Sequence, residues 1–138
     1  MRISNINFRM DSLKICAIRE TVEETGIWPF EENVKTFEYN RNKFINFIDL
    51  NGISFDRILK KDVYSWINWR TPDCKKIYPQ KWDMQMFVTE AEKISNNPNF
   101  FSNETVEVSW MYADEVLQRC KTKDLNLAPP QWCMLKEI

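Results

Sequence analysis

The chain has 138 residues, 19 basic and 20 acidic side chains, a formal net charge of -1 and no histidine. That length suits one domain with a modest core, and the near-neutral charge gives no general electrostatic drive toward nucleic acid or a membrane surface. No apolar run approaches a membrane span, and neither a signal-like N-terminal core nor a Ser-Lys-Leu type C-terminal address is present. Cys16, Cys74, Cys120 and Cys133 form no C-x-x-C pair. With no histidine to complete a ligand set, they argue against a structural zinc site and read as free thiols in a reducing, intracellular setting.

In chain order, residues 1–10 are short, polar and mixed, and read as a loop or frayed strand. The first element is a helix over roughly residues 11–25. Asp11 or Ser12 is its candidate N-cap, and Gly26 is placed to end it in the left-handed conformation. Ile15, Ile18 and Val22 make an apolar stripe, and Cys16 reads as a small hydrophobe. Glu20, Glu23 and Glu24 fall within one sector of about 100° on the far side, with Arg19 just before them. A run of glutamates at helical spacing is more often a solvated face than a site. Three like charges on one face would nevertheless be relieved by a counter-charge or by a divalent cation. Oxygen-only donors suit Mg²⁺ or Mn²⁺.

Trp28-Pro29-Phe30 reads as a turn. A charged, helix-prone insert over roughly residues 31–61 follows, with Phe44, Phe47 and Ile48 at helical spacing, then Phe55, Ile58 and Leu59 after a break at Gly52. Its Lys43, Arg57, Lys60 and Lys61 read as a solvated face. Val63 to Trp69 is a strand rich in aromatic and β-branched residues, ended by Pro72. Thr71 to Lys81 is a hairpin-like connection, and Trp82 to Val88 alternates as a half-buried strand. Asn96-Asn97-Pro98 and Ser102-Asn103 mark a loop. Thr105 to Met111 alternates again and reads as a third strand. Ala113 to Lys121 is a helix with Val116, Leu117 and Cys120 on its apolar side. Leu127-Ala128-Pro129-Pro130-Gln131 opens a last short helix with prolines where helix starts tolerate them.

The string Arg19-Glu20-Thr21-Val22-Glu23-Glu24-Thr25-Gly26-Ile27 resembles the second half of the Nudix box, G-x5-E-x7-R-E-U-x-E-E-x-G-U with U aliphatic. Arg19, Glu20, Glu23, Glu24, Gly26 and Ile27 match, and Thr21 stands in for the first U. The upstream Glu position falls on Asp11 and the leading Gly position on Asn5. Trp66-Ile67-Asn68-Trp69-Arg70-Thr71-Pro72 is similar to a W-x-x-W-x-T-P element. Trp82-Asp83-Met84-Gln85-Met86-Phe87 is similar to an R-F-D-T-x-F-F strand. With Glu104-Thr105-Val106-Glu107, Trp110 and Leu127 to Gln131, the ordered set resembles the nucleoside diphosphate-linked moiety X motif 19 family of acyl-coenzyme A diphosphatases. The similarity spans most of residues 12–132.

The resemblance implies an α/β class, a Nudix-like α/β/α sandwich with a mixed sheet, forming a single domain over residues 1–138. It implies Mg²⁺- or Mn²⁺-dependent hydrolysis of coenzyme A or acyl-coenzyme A to 3′,5′-adenosine bisphosphate and (acyl-)4′-phosphopantetheine. Glu20, Glu23 and Glu24 would be the metal ligands, Arg19 would orient the carboxylates, and Gly26 would supply the tight turn. Glu104 or Glu107 is an extra ligand or base by the same analogy, or else an ordinary loop or strand-edge charge. For Trp66, Trp69, Trp82 and Trp110 core packing is expected ahead of base stacking. Arg70 and Lys81 are expected at the surface rather than on phosphates. The family's first strands and glycine-rich loop precede the signature helix, and here about ten residues do. The expectation is therefore a sheet short of its N-terminal strands, with an exposed edge that favours self-association. The family also implies a peroxisomal setting, whereas the absent C-terminal tripeptide points to the cytoplasm. Two other readings stay open: a non-catalytic interaction protein with a relic carboxylate face, or a Nudix hydrolase for another nucleoside diphosphate such as an RNA cap.

Overall fold

The apolar stripe at Ile15, Ile18 and Val22 needs a surface to pack against, and the aromatic turn after the helix supplies part of it. In the computed structural model, which describes residues 3–30, 34, 43–74, 76, 79–91, 105 and 107–138, helix α1 runs over Ile3–Thr25. It therefore begins eight residues before the expected start, and Asp11 and Ser12 lie inside it rather than at its cap. Residues 3–10 continue the helix upstream of the start the sequence suggests, a case of long-helix propagation overriding weak local preference. Its C-terminus is as the sequence indicates. Gly26 has φ +71°, and its N–H donates to Val22 O at 2.9 Å. The Thr25 hydroxyl donates back to Thr21 O at 2.5 Å and accepts from the Ile27 N–H at 3.1 Å.

The remaining elements are α2 (Lys43–Leu50), α3 (Phe55–Leu59), β1 (Val63–Arg70), β2 (Asp83–Thr89), α4 (Ala113–Lys121) and α5 (Pro129–Glu137). The chain is thus of mixed α/β character, as expected from sequence. Among the described residues its sheet consists of two antiparallel strands, β1 and β2, and a larger mixed sheet is not seen. Thr105 and residues 107–111 have no strand pairing, so the alternation there does not make a strand among the described residues. Alternation marks a half-buried strand only when a neighbouring strand supplies the ladder. The loop placed at Asn96 to Asn103 lies outside the described residues.

By their contacts the residues form two compact units, one of Met1–Ser65 with Phe87–Val108, the other of Trp66–Met86 with Ser109–Ile138. In the first unit the core is Ile18 and Val22 from α1, Trp28 and Phe30 from the turn, Phe44, Phe47 and Ile48 from α2, Ile53, and Ile58 from α3. Ile15, Val34 and Val63 pack against it. The Trp28 ring meets Phe30 edge-on at 5.2 Å and Phe47 at 5.4 Å between centroids, separations at which aromatic pairs are favourable. Gly52, at φ +61°, breaks the chain between α2 and α3. Ser54 caps α3, its hydroxyl accepting from the Arg57 N–H. Phe55, at the first position of α3, is 42% exposed and lies outside the core that Ile58 completes.

The second unit holds the hairpin end and the two C-terminal helices. Thr71 closes the hairpin: its N–H donates to Trp82 O at 2.9 Å, and its hydroxyl accepts from the Trp82 N–H at 2.9 Å. Helix α4 carries Asp114 and Glu115 in its first turn and Arg119 and Lys121 in its last, complementing the helix dipole at both ends. Helix α5 opens on Pro129 and Pro130, and the Gln131 side chain accepts from the Ala128 N–H at 3.1 Å. Helices α4 and α5 pack on each other. The expectation of core packing is corrected for Trp66, Trp82 and Trp110, while Trp69 is half-buried. Trp66, Trp82 and Trp110 are 43%, 58% and 54% exposed. A two-stranded hairpin and two short helices offer too little surface to bury that many large rings.

Candidate functional site on the carboxylate face of helix α1

Helical geometry puts the buried stripe and the acidic sector of α1 on opposite sides, and the structure keeps that division. Ile18 and Val22 are each 4% exposed in the core, while Glu20 and Glu23 are half-buried and Glu24 is exposed. Arg19 joins the first two. Its Nη2 donates to Glu20 Oε1 and its Nη1 to Glu23 Oε2 at 2.7 Å. One guanidinium thus spans two carboxylates, using one oxygen of each. Glu20 Oε2 and Glu23 Oε1 lie outside that contact.

Cys16 belongs to this face rather than to the core. It is exposed, and Arg19 Nη2 approaches its sulfur at 3.7 Å. The helical wheel already contains this result: Cys16 falls about 130° from the centre of the Ile15–Ile18–Val22 stripe, inside the glutamate sector. Burial works against the Arg19 charge, but the Cys16 contact and the Glu20 and Glu23 charges outweigh it, lifting its pKa above the ordinary guanidinium value. The arginine is a permanent cation that orients its partners.

The glutamates of this face offer carboxylate oxygens on adjacent helical turns, the donor type that suits a hard cation, with the Cys16 sulfur as a softer neighbour. Among the described residues no three acidic or thiol side chains converge into a closed ligand set. Glu20, Glu23 and Glu24 therefore do not form a three-carboxylate metal cluster. Magnesium is commonly held by one or two carboxylates, with waters and substrate phosphate completing the octahedron.

Of the other expected site residues, Glu107 is exposed in irregular chain, and Glu104 lies outside the described residues. The structure does not bring Glu107 into a group with Glu20, Glu23 and Glu24. Arg70 and Lys81 are surface residues in ion pairs, Arg70 with Asp83 at 3.3 Å and Lys81 with Asp73 at 2.8 Å. Asp83 also accepts from the Asn68 amide at 2.9 Å. Both pairs are exposed, and each answers a charge that a phosphate would otherwise take.

A contact that sequence reasoning missed ties α1 to the end of α3. The Lys14 ammonium donates to Leu59 O at 2.9 Å and to Lys61 O at 2.5 Å. It neutralises carbonyls at a helix C-terminus, where cations are favoured. Partners 45 and 47 residues away leave no local signal.

Among the described residues no helix is long and apolar enough to cross a membrane. Compared with protein-family models, curated proteins and solved structures, the chain matches none.

Proposed function

We propose that the chain is a Nudix-type diphosphatase acting on coenzyme A or its acyl esters, with α1 as its signature helix in a Nudix-like sandwich. The observation that carries the reading is the single Arg19 guanidinium holding Glu20 and Glu23 on the face opposite the core. A positive-φ glycine ends that helix at the spacing the motif requires. The ordered tryptophan, threonine-proline and leucine-alanine-proline-proline-glutamine elements support the choice of coenzyme A within the superfamily.

In this reading Glu20 and Glu23, with Glu24 beside them, would hold Mg²⁺ or Mn²⁺. When bound, the cation neutralises the diphosphate and lowers the pKa of an attacking water. Arg19 fixes the two carboxylates so that they meet their partner without reorganisation. With no histidine in the chain, a carboxylate or a lysine must take the proton from water. Glu104 and Glu107 are the candidates outside the helix.

The test is hydrolysis of coenzyme A by the full chain with Mg²⁺ or Mn²⁺, following 3′,5′-adenosine bisphosphate, beside Glu23→Gln. Metal-dependent turnover that disappears in the variant is the expected result. A folded chain without turnover on coenzyme A or acyl-coenzyme A would overturn the reading.

A second reading is an interaction protein that keeps the carboxylate face as a structural feature. The Arg19 contacts to Glu20 and Glu23 favour it, because they offset part of the acidic charge without a cation. The exposed Trp66, Trp82 and Trp110 suit a protein partner. The same assay separates the two, since only the first predicts turnover.

A further inference from the structure

The first unit contains a cavity of about 350 Å³ that shares no residue with the carboxylate face of α1. Its floor is the buried ring of Phe30. Its walls are Tyr64 at the start of β1, the α3–β1 junction at Lys60, Lys61 and Asp62, and Glu90 after β2. The volume is at the low end of the range for small-molecule sites.

The walls are fastened to one another by contacts that need no ligand. The Thr89 hydroxyl donates to Asp62 O at 2.7 Å, linking the end of β2 to the junction. The Val63 N–H donates to Lys61 O at 2.9 Å, and Lys14 holds Leu59 O and Lys61 O from below. The Lys61 ammonium lies 5.4 Å from the centre of the Phe30 ring, a cation–π distance. The cavity is therefore built before anything enters it.

Its charges are of both signs. Lys60, Asp62 and Glu90 line the same space, yet among the described residues none of the three is in an ion pair. Opposite charges within about 4 Å of one another form an ion pair. Among the described residues these charges face the same space without such a pair, and a ligand bearing both charges would answer them.

We infer that this cavity binds a small zwitterion of the α-amino-acid type with an apolar or aromatic body. The ligand's carboxylate meets Lys60, its ammonium meets Asp62 and Glu90, and its side chain lies toward Phe30 and Tyr64. A ligand with one charge alone leaves the opposite wall unanswered. The rim is exposed, so each charge contact is modest and the dissociation constant is on the order of millimolar.

The experiment is an amide-resolved NMR titration of the full chain with L-phenylalanine, and with phenethylamine and phenylacetate, which lack one charge each. The expected result is saturable shifts at Lys60 to Tyr64 and Thr89 to Glu90 with L-phenylalanine. Affinity should fall about fivefold or more for either single-charge analogue. The same loss is expected with L-phenylalanine in Lys60→Gln and in Glu90→Gln, both surface changes that leave the core untouched. Absence of saturable shifts at these residues would overturn the inference. So would equal affinity for all three compounds, or affinity unchanged in both variants. Coenzyme A turnover has no part in the readout, so failure here and failure of the diphosphatase reading are distinguishable.

Discussion

Lys14→Met removes the ammonium that joins α1 to the end of α3 while keeping most of the apolar stem. Lys14 donates to two main-chain oxygens, Leu59 O and Lys61 O, from a half-buried position. A hydrogen bond from a charged donor contributes roughly 1.5–3 kcal/mol, and charge at a helix C-terminus adds about 0.3–1 kcal/mol. Water can replace the lost donor at a partly open site, so the full sum is not expected. A net loss of about 2 kcal/mol follows. With a urea m-value of about 1.5–2 kcal/mol per molar, the unfolding midpoint should fall by roughly 1 M.

The assay is urea denaturation followed by far-ultraviolet circular dichroism, with Lys76→Met as the control. Lys76 is exposed, and its replacement should change stability by no more than about 0.5 kcal/mol. If Lys14→Met shifts the midpoint no further than Lys76→Met, the contact contributes nothing in solution. The rigid cavity wall argued from it would then lose one of its supports.

Substitutions at three further positions probe the frames of the two units. Ile58→Ala truncates a side chain that is 0% exposed and should cost about 2–5 kcal/mol, read as a lower thermal midpoint or loss of a cooperative transition. Gly52→Ala meets no atom within 4 Å, so its cost of about 1–2 kcal/mol comes from φ +61° alone, and Gly52→Asn should cost less. Lys123 is a non-glycine residue at φ +66° after α4, so Lys123→Gly should stabilise the chain by up to about 1 kcal/mol in the same melts.

Where sequence reading succeeded, the information was local. Phe44, Phe47 and Ile48 declared α2 by spacing, and Gly26 declared the end of α1 by being one of two glycines in the chain. Pro129 and Pro130 likewise marked the start of α5. The failures needed information from elsewhere in the chain. Whether Thr105 to Met111 forms a strand depends on a partner strand, and whether Trp66, Trp82 and Trp110 are buried depends on what faces them. Lys14 is one of many lysines until Leu59 and Lys61 are in place. Cys16 is a different case. Its position on the glutamate face follows from helical spacing, and its small size and sulfur wrongly suggested burial. The Arg19 to Glu20 and Glu23 contacts were legible as a pattern, but which oxygens the guanidinium engages was not.

The division of α1 into a buried side and a carboxylate side makes the central test of function clean. The Arg19 pair with Glu23 is an i,i+4 contact on a partly exposed face, with side chains 39% and 23% accessible. Such pairs contribute about 0.3–0.5 kcal/mol, a small part of the stability of any domain. Ile18 and Val22, which anchor the helix, do not touch that face. Glu23→Gln keeps the shape of the side chain and its ability to accept a hydrogen bond from Arg19. Its melting transition should therefore lie within about 0.5 kcal/mol of the parent chain. Lost turnover in a variant of unchanged stability would then be a loss of chemistry. A large destabilisation would instead mean that the carboxylate face holds the fold together, and lost turnover in that variant would then report unfolding rather than chemistry.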